Sequence, residues 1–285
     1  MTFIAGSFAL ESFADRAGRA YGFEYGRVRL WGSLGFAFAA FFCGNLFNRD
    51  PRLSFYLASA AAMVLFGVLH LLRFEAPADD RQTSSALRMG DALAVLKLPE
   101  FWGFMVLILG VTDLYLVYDQ QFPVYFASQF ATADQGRVMF GRLASAQIFV
   151  EAALLFVAPS LVGRLGVKRS LLTAAAVMIV RIAGSGLVTG PWAISAMKML
   201  HSLELPILLV ALFRYIALHF DSRVASTLYL VGVSFGHSLG LAVLSSVVGR
   251  GYDLIGFPWT YLLLAAGTSV FWVAACFSLA PDRRV

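Results

Sequence analysis

Charge is what this chain has least of. Only 14% of its 285 residues are Asp, Glu, Lys or Arg, where a soluble domain carries nearer a quarter. Its net charge of +5 is spread too thinly to argue for a nucleic-acid partner. Cysteine is almost missing too. Cys43 and Cys276 both lie in apolar runs, which leaves no disulfide framework and no thiolate metal site. No GxxxxGK[ST] loop and no HExxH pair occur, so the chain carries neither a phosphate cradle for ATP nor a zinc-hydrolase signature. No cofactor is implied. The first residues are not basic and Glu11 interrupts the first apolar stretch, which argues against a cleavable signal peptide.

What fills the space is apolar sequence. Hydrophobic residues make up 59% of the chain, and mean hydropathy is +0.75. Apolar segments run over about 1–18, 26–47, 53–72, 101–128, 139–163, 170–189, 191–219, 224–249 and 258–280. All but the first have the length of a membrane-spanning helix. The expected class is therefore an all-α polytopic membrane protein. The hydrophilic stretch 73–99 divides three spans from six, and transporters built from repeats need matching halves. We expect a remnant of an N-terminal bundle over 1–73, a linker over 74–98 and a six-helix bundle over 99–285, with about three spans preceding Met1. Basic residues are densest around the first connection (Arg16, Arg19, Arg27), the linker (Arg73, Arg81, Arg88, Lys97), the 163–170 turn (Arg164, Lys168, Arg169) and the end (Arg283, Arg284). By the positive-inside rule those parts, the C-terminus included, are cytoplasmic.

The few charges inside the spans are the informative ones, because an ionisable group in a bilayer is costly and usually marks a path for substrate or ion. Lys198, His201 and Glu204 recur every three residues, about 300° of helix, and so share one face of 191–219. The spacing reads as proton-handling machinery. Lys198 opposes a bound cation beside His201 and Glu204, so a metal is not expected there. Arg181 lies mid-span, too far from either end to snorkel easily. Asp119 and Glu151 are acidic counterparts in other spans, and Glu11 and Arg29 lie in consecutive spans near the start. At this level an ion pair such as Asp119 with Lys198 can serve transport or merely pin helices together.

Several motifs in order then resemble one family. Phe23-Glu-Tyr-Gly-Arg27-Val-Arg29-Leu-Trp-Gly-Ser-Leu-Gly, Tyr118-Asp119-Gln-Gln-Phe122, Lys198-Met-Leu-His201-Ser-Leu-Glu204-Leu-Pro206, Ser226-Thr-Leu-Tyr-Leu-Val231 and Tyr252-Asp-Leu-Ile-Gly-Phe257 resemble helices five, seven, ten, eleven and the approach to twelve of the lactose permease-like oligosaccharide:proton symporters of the major facilitator superfamily. The resemblance implies a twelve-span fold of which part of helix four through helix twelve is present. It also implies proton-coupled symport of a small oligosaccharide (lactose, melibiose, raffinose or sucrose type) in the cytoplasmic membrane, by a monomer when full-length. An enzyme is not implied.

Residue by residue, the resemblance makes Glu11 and Arg29 the sugar-binding acid and arginine, and puts Phe36 where a Trp stacks on the sugar. His201 couples the sugar and proton sites, Glu204 carries the proton, Arg181 is its nearby cation, Tyr115 lies beside that network, and Asp119 with Lys198 is an inter-helix ion pair. A further sugar-binding acid of the family falls on Ile148. Glu151 lies one turn on and is expected to serve the same cavity. The family's second ion pair falls on Leu116 and His237, so both its charges are replaced together. Two other readings compete: an inactive membrane fragment, and an efflux carrier for another small solute.

Overall fold

The computed structural model describes residues 25–71, 97–220 and 236–282, with side chains from residue 31 in the first stretch and from residue 240 in the last. Every regular element among them is a helix: α1 (Tyr25–Arg49), α2 (Arg52–Leu71), α3 (Pro99–Leu107), one π-helical turn (Ile108–Thr112), α4 (Asp113–Ser128), α5 (Ala133–Leu165), α6 (Val167–Leu187), α7 (Pro191–Met199), α8 (His201–His219) and α9 (Gly236–Ser278). The expected first segment with Glu11, and residues 74–96 of the expected linker, lie outside the described residues. Six helical runs are long and apolar enough to cross a membrane: Arg52–Leu71, Pro99–Ser128, Ala133–Leu165, Val167–Leu187, Pro191–His219 and Gly240–Ser278.

Helix ends follow local chemistry that apolar windows do not register. α5 starts at Ala133, earlier than its apolar run. The Thr132 side chain accepts from the Gln135 N–H at 3.3 Å and Asp134 sits in the positive first turn. The two expected segments at 224–249 and 258–280 meet in α9, whose run is broken at Gly256, with φ of 79° and ψ of 171°. A straight helix would hold residues 251 and 260 about 13 Å apart. Instead a methyl on Gly251 would stand 3.2 Å from the Thr260 side chain, and the Tyr252 and Phe257 rings stack at 4.5 Å. The chain therefore doubles back at Gly256, making two antiparallel arms. Gly, free of the Cβ clash at positive φ, permits that reversal.

Polarity is arranged inside out. Arg181, Glu204 and Asp113 are buried, while Phe156, Trp192, Leu254 and Phe277 are each more than 80% exposed. Water would make such a surface aggregate, whereas lipid solvates it. The interior is a column of aromatic and aliphatic side chains, with Phe104, Tyr118, Phe122, Leu171, Met178, Tyr215 and Tyr261 fully buried. α3, the π turn and α4 pack on α9, α6 packs on α8 and α9, and α5 packs on α8 and α1.

Without a hydrophobic drive between helices in lipid, close approach depends on small residues. α1 meets α5 through Ala40 and Gly44 against Arg137 and Gly141: a Cβ at Gly44 would strike the Arg137 carbonyl, and one at Gly141 the Ala40 carbonyl. Overpacking of a tight contact costs about 1–3 kcal/mol or more. Gly44→Leu and Gly141→Leu should each lower the midpoint of thermal unfolding in detergent and loosen α1 to protease, whereas Gly67→Leu, with nothing within 4 Å, should be near neutral. Equal effects at all three sites would refute this account of the α1–α5 contact.

Candidate functional site

α4, α6 and the α7–α8 pair converge on one guanidinium. The spacing of Tyr115, Tyr118, Asp119 and Phe122 places them along one face of α4, and α6 delivers Arg181 opposite them. Arg181 is fully buried, so its charge is held only by partners. Nη2 donates to Asp119 Oδ1 at 2.7 Å, and Nη1 donates to Glu204 Oε1 at 2.8 Å and to the Tyr115 hydroxyl. The Tyr115, Tyr118 and Phe122 rings surround the guanidinium carbon at 5.2, 5.3 and 5.4 Å, distances at which ring faces attract a cation. Tyr118 is held in turn by Ser185, whose Oγ lies 2.9 Å from the phenol and donates to the Arg181 carbonyl at 2.8 Å.

His201 completes the cluster through one atom. Its Nδ1 lies 2.8 Å from Glu204 Oε1 and 3.1 Å from Arg181 Nη1, and it contacts the Tyr115 hydroxyl. That nitrogen has two exclusive roles: carrying hydrogen it donates to Glu204, and bare it accepts from Tyr115 or Arg181. Lys198 lies at the end of α7 and His201 and Glu204 at the start of α8. The backbone stays helical through Leu200 between them, with φ of −59° and ψ of −24° and the Glu204 N–H donating to the Leu200 carbonyl at 3.3 Å. Pro206, which cannot donate to the Ser202 carbonyl, weakens the same region.

Asp119 and Lys198 do not make the pair expected of them. Arg181 takes Asp119, and the Lys198 ammonium, also buried, lies over the Phe140 ring at 4.8 Å. The planar fork points separate nitrogens at the two acids and is more weakly hydrated than an ammonium, which favours the guanidinium in this buried site. Lys198 still feels the charges of Arg181, Asp119, Glu204 and Glu151.

The cluster has a dry side and an open side. The Glu204 side chain is 0% exposed, against 39% for Asp119. Arg181 Nε and Glu204 Oε2 are buried without a protein partner among the described residues. Asp119 and Glu204 pair with different nitrogens of Arg181, so either acid alone still neutralises it. The arrangement can therefore hold or release a single proton while Arg181 stays paired.

The structure thus brings Tyr115, Asp119, Arg181, His201 and Glu204 together and keeps Lys198 close by. Glu151 is half-buried on α5, as is Ile148. Phe36 is exposed on α1, while its neighbour Ala37 is covered. Glu11 and the Arg29 and His237 side chains lie outside what is described. Sequence reasoning named Tyr118 and Phe122 only within a motif, with no role at the site, and passed over Asp113. Asp113 follows the π turn, is buried in mid-span, and its carboxylate packs against the backbone at Gly240. The signal that picked out Arg181, a charge in an apolar run, applies to it equally.

The profile of the LacY proton/sugar symporters matches residues 1–285, the whole chain. The chain belongs to that family. Similar curated proteins include the lactose permease of Klebsiella oxytoca, 37% identical over 100% of this chain and 70% of its own length. The raffinose permease of Escherichia coli is 36% identical over 99% and 68%, and the sucrose permease of Escherichia coli is 34% identical over 99% and 68%. Proton-coupled sugar symport is therefore the activity to which this chain belongs, and its relatives are permeases. It is a multi-pass membrane protein.

For this symporter sequence the shared guanidinium predicts a specific non-additivity. Asp119→Asn or Glu204→Gln leaves Arg181 with one acid, and each should cost about 1 kcal/mol of stability in detergent. The double variant buries an unpaired cation and should cost about 3–5 kcal/mol, well above the sum. Unfolding midpoints of the four proteins form the cycle; additive losses would mean that the two acids do not share Arg181.

Proposed function

We propose that the protein carries a di- or trisaccharide inward with one proton, and that Glu204 is the proton carrier. The observation that carries this is the pair of acids on one buried arginine. Asp119 alone neutralises Arg181, so Glu204 is free to be neutral or charged without unpairing the cation. Its Oε2, buried and without a protein donor, suits a bound proton. In this reading sugar binds the protonated form, and the loaded carrier then exposes the site to the other side. Return of charge to Glu204, drawn by Arg181, expels the proton. His201 links the events, since its Nδ1 donates to an ionised Glu204 and is released when the acid is neutral. Tyr115 is positioned to accept the same exchange.

Glu11, Arg29, Phe36, Glu151 and His201 are the proposed sugar contacts. Arg and Glu together hold several hydroxyls, and a phenyl ring packs on the apolar face of a sugar. The substrate class follows the relatives, which are named for lactose, raffinose, sucrose and melibiose. The absence of an acid at Ile148 separates this chain from a strict galactoside carrier. The proposed setting is the cytoplasmic membrane with the C-terminus inside, and the full-length protein acts as a monomer. One proton moving through 100 mV supplies about 2.3 kcal/mol, enough for roughly 50-fold accumulation at 1.36 kcal/mol per tenfold.

Glu204→Gln imitates the protonated acid permanently. Reconstituted full-length protein with this change should bind sugar and exchange it across the membrane, yet fail to accumulate it under a proton gradient. Uphill accumulation by the variant would remove Glu204 as the proton carrier.

A further inference from the structure

A second polar feature lies away from this cluster, where α5 and α6 are joined and α8 runs out. A cavity of about 370 Å³ opens there, lined by Val162, Gly163, Arg214, Ala217, Leu218 and Asp282 among others. Two properties set it apart. Arg214 is exposed and has no ion-pair or hydrogen-bond partner among the described residues, and its guanidinium lies across Gly163, where a methyl would stand 3.6 Å from Nη1. The acid in the same cavity is already engaged: Asp282 Oδ2 accepts from the Val167 N–H at 2.8 Å and Oδ1 from the Lys168 N–H at 3.0 Å, capping the positive end of α6. The cavity is left with one uncommitted cation, near Arg164, Lys168 and Arg169 of the same turn.

The walls above this cation are apolar and face outward. On α5 the exposed residues Phe149, Phe156 and Gly163 repeat every seven positions, and on α8 Leu209, Phe213 and Ala217 repeat every four. Each set is a stripe along one side of its helix, and α5 and α8 pack on each other. Together they form a trough that ends at the cavity. Arg214 stands five residues before the end of α8, about 7.5 Å along the axis, the depth at which an arginine reaches the lipid phosphate layer. A soluble anion would fill only the cavity and leave the trough bare. A phospholipid fills both, acyl chain along the stripes and phosphate on the guanidinium. Basic recesses between spanning helices are known to hold anionic headgroups.

We propose that this trough and cavity form a binding site for an anionic glycerophospholipid, with Arg214 holding its phosphate. The test is lipid retention by the purified chain in detergent, read by native mass spectrometry during titration with phosphatidylglycerol, phosphatidylethanolamine or phosphatidylcholine. Phosphatidylglycerol should bind in preference to the two zwitterionic lipids. Arg214→Gln should weaken it about fivefold, the scale of one interfacial cation, and should leave phosphatidylcholine unchanged. Gly163→Leu, which keeps the arginine but fills the foot of the trough, should give a similar loss. Arg164→Gln, on the same turn but outside the cavity, should change binding less than twofold. The proposal is overturned if Arg214→Gln binds phosphatidylglycerol like the unaltered chain, if Arg164→Gln loses as much, if phosphatidylethanolamine binds equally well, or if excess inorganic phosphate displaces the lipid.

Discussion

A fully buried guanidinium governs the arrangement of the C-terminal helices. An arginine charge removed from water costs several kcal/mol unless hydrogen bonds and opposite charge replace what water supplied. Arg181 obtains them from two other helices: Asp119 and Tyr115 on α4, and Glu204 with His201 on α8. The three rings around it, Tyr115, Tyr118 and Phe122, fill the space that water would take. Helix positions, aromatic packing and the proton-bearing group are therefore one problem with one solution. The same low dielectric makes a single proton on the cluster matter, because a charge imbalance there is not screened as at a surface.

Departures from regular helix lie beside the working residues. A π turn precedes Asp113 and lies one turn before Tyr115, and Pro206 follows Glu204 by two residues. In a membrane such irregular backbone survives only where protein or a cavity surrounds it, and π turns recur at functional sites.

Much of this was legible in the sequence because lipid makes the rules strict. A run of apolar residues of the right length has few alternatives, so segments such as 101–128 and 170–189 correspond closely to helices at 99–128 and 167–187. Arg181, His201 and Glu204 stood out because a charge in such a run needs a reason. The partner of each charge was not legible. Asp119 was expected beside Lys198, yet the outcome depends on whether a fork or an ammonium reaches it first across three helices, and spacing along one helix does not encode that. Asp113 was missed although it carries the same signal, a charge in an apolar run. The reversal at Gly256 was visible only as a gap between apolar runs.

The central claim is that Glu204 alternates between neutral and charged while Asp119 stays charged on Arg181. Infrared difference spectroscopy of the full-length protein, recorded with and without sugar, reads this directly through the carbonyl stretch of a protonated carboxylic acid. The account predicts one such band that shifts on sugar binding, disappears in Glu204→Gln and persists in Asp119→Asn. A band that survives Glu204→Gln and vanishes in Asp119→Asn would contradict it and place the proton on the other arm of Arg181.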